Sequence, residues 1–145
     1  MTAQAARRLA ERVHAHDLDR YGTPLLAHVR RVAALVPREA RTVAWLHEVL
    51  ESTDLDLDAL RAAGAGEDEV LAVQLLTRDP AGDAAAYEEH VRRIADAPGR
   101  AGDLARAVKR ADLQDRMLHQ EPCAAGVPAR PPYRRALSVL ASAPR

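Results

Sequence analysis

Apolar residues recur along this chain every three to four positions with polar residues between them, the period of helices that each bury one face. Residues 3–17 carry Ala5, Leu9, Val13 and His16 at that spacing, and Gly22 stops the element after the mixed-charge run Asp17 to Tyr21. Thr23 as N-cap and Pro24 in the first turn begin a second helix over 24–36, with Leu25, His28, Val29, Val32 and Leu35 (with Val36) as its stripe. Pro37 opens a third over 37–51, carrying Ala40, Val43, Ala44, Leu46 and Val49, and Ser52-Thr53-Asp54 breaks it. A short helix over 57–63, capped by Asp54, Asp56 or Asp58, precedes helices over 67–77, 83–96, 102–119 and 133–142. Asp79 to Gly82 reads as a turn, Pro98-Gly99 as a break and 121–132 as a loop. No stretch alternates with the period of a strand. The pattern predicts an all-α fold, a compact bundle of about seven to eight helices forming one domain over residues 1–145.

Composition fits that reading. The chain is 145 residues long and 48% hydrophobic, without a single Phe, so its core is built from Leu, Val and Ala, which suits packed helices. The 21 basic residues balance the 21 acidic ones, so no net field points to nucleic acid or a membrane surface as partner. No apolar run is long enough to span a bilayer and no signal-peptide pattern opens the chain, which makes a cytoplasmic location the expectation. Cys123 is the only cysteine, so no intramolecular disulfide can form.

The chemistry lies in polar residues on or beside the apolar stripes. Trp45, Leu46, Val49 and Leu50 face a core, with His47, Glu48 and Glu51 set between them. Glu51 follows His47 by four positions and Glu48 by three, so on a helix it shares a face with each. His28 lies inside the stripe of its own helix, and Asp112 borders the stripe of the helix over 102–119. Two imidazoles and two carboxylates on three helices form a donor set suited to a divalent transition metal with positions left open for water and substrate. Each residue has an ordinary alternative. A lone His28 would be a hydrogen-bonded packing residue, Glu51 a solvated helix end, and Asp112 a partner of Lys109 or Arg116 on its own helix. Lys109, the only lysine, suits either a substrate phosphate or the surface. Tyr87 falls at helical spacing with Val91 and Ile94 and reads as core, and His14, His16, His90 and His119 read as ordinary helix residues. The run His47-Glu48-Val49-Leu50-Glu51 misses the zinc-protease HExxH pattern at its fifth position.

Four segments in order resemble the HD-domain metal-dependent phosphohydrolases, and more closely the (p)ppGpp hydrolase domain of the RelA/SpoT family and its small single-domain relatives. Tyr21-Gly22-Thr23-Pro24-Leu25-Leu26-Ala27-His28 is similar to that family's glycine, proline and histidine entry motif. Ala44 to Thr53 resembles its LLHDVLEDT motif, Leu75-Leu76-Thr77 its LT segment, and Val108 to Arg116 its KLADLxDN motif. The likeness spans about residues 9 to 118. It implies an HD-type helical bundle in which His28, His47, Glu48 and Asp112 bind one Mn²⁺-like ion and Glu51 handles the attacking water. It implies a phosphorylated small molecule, a nucleotide such as (p)ppGpp or a relative, as substrate. Arg20, Ser52, Arg116 and Lys109 are then the substrate-binding candidates.

The same comparison shows departures. Glu48 stands where the pattern has aspartate, Ser52 replaces its second acid, Arg116 replaces an asparagine, and Asp19-Arg20 stand at its basic pair. Two readings follow: a metal-dependent phosphohydrolase, or a degenerate scaffold of that type that binds a nucleotide or protein partner without turnover.

Overall fold

The computed structural model describes residues 1–79, 81–119 and 133–142. The expected loop over 121–132, with Cys123, lies outside these residues. Among them the chain is all-helical: α1 (Ala3–Val13), α2 (Leu25–Leu35), a 3-10 turn (Arg38–Ala40), α3 (Arg41–Leu46), α4 (Val49–Ser52), α5 (Leu57–Ala62), α6 (Glu67–Leu76), α7 (Ala84–Asp96), α8 (Gly99–His119) and α9 (Tyr133–Ala141). With α3 and α4 taken as one interrupted rod, this is a bundle of eight helices. The only β-type pairing among the described residues is an isolated bridge between Leu18 and Pro24.

The central element is α8. It packs against α6, α2 and α9, while α1 lies on α3 and α7 on α9. Leu46, Leu60, Ile94, Leu113 and Leu140 are among the largest fully buried side chains of the core around it. Each contributes on the order of 1.5–3 kcal/mol through the water it sheds. Residues Ala97, Ala101 and Gly102 pack α8 closely against the end of α7. A Cβ on Gly102 would collide with the Ala97 carbonyl oxygen, so only glycine fits there. The Arg106 guanidinium then donates to the carbonyls of Ile94, Ala95 and Ala97, closing the open end of α7.

Several local expectations are corrected. The first helix ends at Val13, and the buried face is Ala6, Leu9 and Ala10, not Ala5 and His16. In an alanine-rich helix more than one face can supply a small apolar stripe, and the faces differ by only one position. Leu35 is exposed, whereas Val36 is buried as expected and Ala33 joins it. Thr23 does not cap α2; Pro24 is the N-cap residue, and no side chain caps it. Instead the Asp19 carboxylate accepts from the Tyr21 and Thr23 amides, and Leu25 N–H donates to the Asp17 carbonyl. This tight loop, turned by Gly22 at φ 79°, sets the entry of α2 and brings Asp19 and Arg20 to the edge of the cleft described below. Of the three aspartates offered as a cap for α5, Asp56 does it, accepting from Ala59 N–H.

The helix expected over 37–51 is interrupted. His47 and Glu48 keep right-handed backbone angles, but regular pairing stops at Leu46 and resumes at Val49. The interruption coincides with a contact between His47 Nδ1 and the carbonyl oxygen of Ala44 at 2.6 Å, in which the imidazole donates. No helix among the described residues is long and apolar enough to cross a membrane.

Candidate metal centre

Three elements bring the four sequence-predicted ligands together. His28 comes from α2, His47 and Glu48 from the break between α3 and α4, and Asp112 from the middle of α8. One ligand atom from each lies within 4.8 Å of all the others. His28 Nε2 is 2.8 Å from Asp112 Oδ1 and 3.9 Å from Glu48 Oε1. His47 Nε2 is 3.5 Å from Glu48 Oε1 and 3.8 Å from Asp112 Oδ1. Ligands held about 2.0–2.2 Å from one ion stand roughly 3–3.5 Å apart, so these separations need little adjustment. The four residues are 4–7% exposed, which makes the cluster part of the core rather than a chance surface grouping.

The supporting contacts orient both imidazoles. His47 gives its Nδ1–H to the Ala44 carbonyl, which leaves Nε2 aimed at the two carboxylates. That Nε2 is buried and has no hydrogen-bond partner among the described residues, since 3.5 and 3.8 Å are too long. A buried lone pair facing two carboxylates calls for a positive centre between them, either a proton or a metal ion. His28 Nδ1 meets Asp115 Oδ2 at 2.7 Å, and Arg31 clasps Asp115 through Nε and Nη2 at 2.7 and 3.1 Å. This carboxylate–imidazole pairing is the outer contact that fixes a metal-binding histidine. Asp115 and Arg31 were not among the sequence candidates. The signal was present: Asp115 follows Asp112 by three positions, Arg31 follows His28 by three, and each pair shares a helix face.

Charges within the cluster are strongly coupled. Burial works against a charged His47, but neighbouring Asp112 and Glu48 overcome it and lift its pKa to about 10. Burial would raise Glu48, yet contact with His47 and the charge of Arg116 bring it down to about 2. Asp112 likewise resists burial: Arg116, Lys109 and the two imidazoles hold it well below the usual carboxylate range. Arg116 is the resident cation. Its Nε donates to Asp112 Oδ1 at 2.7 Å and its Nη2 to Glu48 Oε1 at 2.8 Å, so it uses the same two oxygens that a metal would take.

A cleft of about 380 Å³ opens beside the cluster. His47, Glu48 and Asp112 line it, as do all five other sequence candidates: Glu51, Ser52, Arg20, Lys109 and Arg116. Lys109 is buried, 6% exposed, and donates to Asp112 Oδ2 at 3.3 Å, so the surface alternative for it is overturned. Glu51 stands at the rim, an exposed residue whose Oε1 accepts the backbone N–H of Arg78 at 2.6 Å. Partial enclosure of its carboxylate and the negative charge of Glu48 raise its pKa, against the opposing pull of Arg78 and Lys109. Arg20 and Ser52 are exposed at the mouth. Tyr87 is buried, as expected, but it also lines the cleft, together with Arg78 and Tyr133. Cys123 lies outside the described residues; His16 is exposed in the turn after α1, His119 is exposed with its Nε2 3.6 Å from Asp115 Oδ1, and His14 and His90, read as ordinary helix residues, are buried.

No protein-family model matches this chain, and no curated protein matches it.

Proposed function

We propose that this protein is a metal-dependent phosphohydrolase of the HD type, acting on a nucleotide or a related phosphate or pyrophosphate ester, (p)ppGpp or a relative being the leading candidate. The observation that carries the reading is the convergence of His28, His47, Glu48 and Asp112, 84 residues apart at the extreme, on one buried point with the His47 Nε2 unpartnered. Two neutral-capable nitrogens and two carboxylate oxygens fit a divalent ion such as Mn²⁺. Bound there, such an ion would supply positive charge to a phosphoryl oxygen and acidity to water. The chain supplies the rest. Asp115 and the Ala44 carbonyl hold the imidazoles in one tautomer and orientation. Glu51, with its pKa raised, is a better proton acceptor near neutral pH than an ordinary glutamate, and it faces the same cleft. Lys109, Arg116 and Arg20 bring positive charge to the oxygens of a phosphate ester.

The test is direct. Protein supplied with Mn²⁺ and offered a panel of nucleotides, pyrophosphate-bearing nucleotides and simple phosphate esters should release phosphate or pyrophosphate, and Glu51→Gln should abolish the release. No turnover across the panel would reject the reading.

A second reading is supported by Arg116. Its guanidinium already neutralises Asp112 and Glu48, which suits a scaffold of the same type that binds a ligand without hydrolysing it. If Arg116→Asn combined with Ser52→Asp hydrolyses a substrate that the natural chain only binds, this second reading holds.

A further inference from the structure

On one side of the cleft the side chains of Arg78 and Lys109 both pack on the ring of Tyr87. The Arg78 guanidinium carbon stands 4.9 Å from the ring centroid and the Lys109 ammonium 5.5 Å from it. The three residues come from different places: the segment after α6, α8 and α7. Lys109 is committed to Asp112, but Arg78 makes no ion pair with any described carboxylate. Among the described residues its one hydrogen bond uses the backbone, whose N–H holds Glu51. The Tyr87 side chain is 6% exposed, and its hydroxyl is buried with no hydrogen-bond partner among the described residues. The groups whose charges act on this hydroxyl are Asp112, Tyr133, Arg116 and Arg78, all of which line the cleft. The buried hydroxyl carries a cost that a bound acceptor would relieve, and the half-buried guanidinium beside it offers a charge with no carboxylate partner.

We propose that Arg78 and Tyr87 form an anion subsite beside the four-donor cluster, where the guanidinium and the phenolic O–H take oxygens of a phosphoryl group. This assignment rests on the reading of the cleft as a phosphate-ester site and adds to it two residues that hold the substrate. Tyr87 keeps its proton, because burial and the nearby Asp112 oppose ionisation, so it serves as a donor and not as a base. Arg78 has a second consequence. The backbone N–H that grips Glu51 and the side chain that meets the anion belong to one residue, so an anion on the guanidinium draws on the same segment that positions the water-handling carboxylate.

Arg78→Ala removes the side chain and keeps the backbone bond to Glu51; Tyr87→Phe removes only the hydroxyl. The probe is inorganic pyrophosphate, titrated calorimetrically at low ionic strength into metal-free full-length protein, with Mn²⁺ affinity measured separately on the same proteins. The natural chain should bind one equivalent. Arg78→Ala should weaken that binding by about tenfold or more, and Tyr87→Phe by about three- to tenfold, the loss of one charged and one neutral hydrogen bond. Both variants should keep the natural Mn²⁺ affinity and thermal midpoint, which a merely structural role for Tyr87 would not allow. Arg38→Ala, an exposed arginine far along the sequence, should leave pyrophosphate binding unchanged. The proposal is overturned if the natural chain binds no pyrophosphate, if either variant binds it as tightly as the natural chain, or if Arg38→Ala weakens it as much as Arg78→Ala. Mn²⁺ binding without pyrophosphate binding would remove the subsite and leave the metal centre standing. Pyrophosphate binding without any affinity for Mn²⁺ would do the reverse.

Discussion

The guanidinium of Arg116 donates to Glu48 at 2.8 Å from a position 68 residues further along the chain. The same side chain reaches Asp112, one turn back on its own helix, at 2.7 Å. Arg116 therefore holds two buried carboxylates together, and any divalent ion that binds them must displace it or share their oxygens. The two carboxylates are thereby neutralised without metal, by a side chain that uses the oxygens a metal would take.

Removing that arginine exposes the competition. In Arg116→Ala two buried carboxylates lose their main neutralising charge, and the metal-free protein should be destabilised by about 2–4 kcal/mol, less than for a fully buried pair because Arg116 is partly exposed. Mn²⁺ should recover most of that loss and should stabilise the variant more than the natural protein. Urea unfolding with and without metal measures both. Equal destabilisation in the two conditions would mean that metal and arginine do not share the site.

Protonation of His47 couples metal affinity to pH. With its pKa at about 10 in the metal-free protein, His47 carries a proton at pH 8, and a ligand nitrogen must release it. Metal binding at pH 8 should therefore expel close to one proton and tighten as the pH rises. Calorimetry in buffers of different ionisation enthalpy counts the protons. Affinity that stays flat between pH 7 and 9 would show that His47 is not a ligand.

Acid should weaken the metal-free fold over a defined window. Glu48 and Asp115 are depressed to about 2, so their stabilisation is complete above their unfolded values and is lost as the pH falls toward 2. His90, buried and held to about 3 by desolvation and by Lys109 and Arg78, acts with the same sign, because the unfolded chain takes up its proton from about pH 6.5 downward. His47 has the opposite sign: its contribution is full below about 6.5 and is lost as the pH climbs toward 10. Denaturant melts across pH 3–10 should fall on both sides of a maximum near neutrality. Constant stability down to pH 3 would contradict the buried charge network.

Asp115 should matter to metal without touching it. Asp115→Asn weakens the bond that fixes His28 Nδ1 and loosens the Arg31 clasp, so metal affinity should fall about 10–100-fold in a chelator competition. Unchanged affinity would leave Asp115 a purely structural ion pair.

The helices were legible because the 3.6-residue period survives along most of the chain, and the four donors were legible because polar groups on apolar stripes must find partners. His28, His47, Glu48 and Asp112 all proved buried within one cluster. What the sequence hid was register and pairing. Alanines on several faces of α1 made the buried stripe ambiguous by one position, so Ala6 rather than Ala5 faces inward. The break at His47-Glu48 coincides with a bond from the His47 imidazole to the Ala44 carbonyl three positions back, which the spacing of apolar residues does not reveal. Tyr87 fits a core stripe and lines the cleft at once, a dual placement that helical spacing alone does not reveal. Arg78 follows the end of α6 and reaches the site only because that segment folds back over Glu51.

The most direct measurement is metal content. Protein reconstituted with Mn²⁺, dialysed and analysed by elemental mass spectrometry should retain close to one equivalent per chain. His47→Ala and Asp112→Ala should retain far less while keeping their helical circular dichroism. A natural chain that retains no metal, or variants that retain as much as the natural chain, would contradict a metal centre at His28, His47, Glu48 and Asp112.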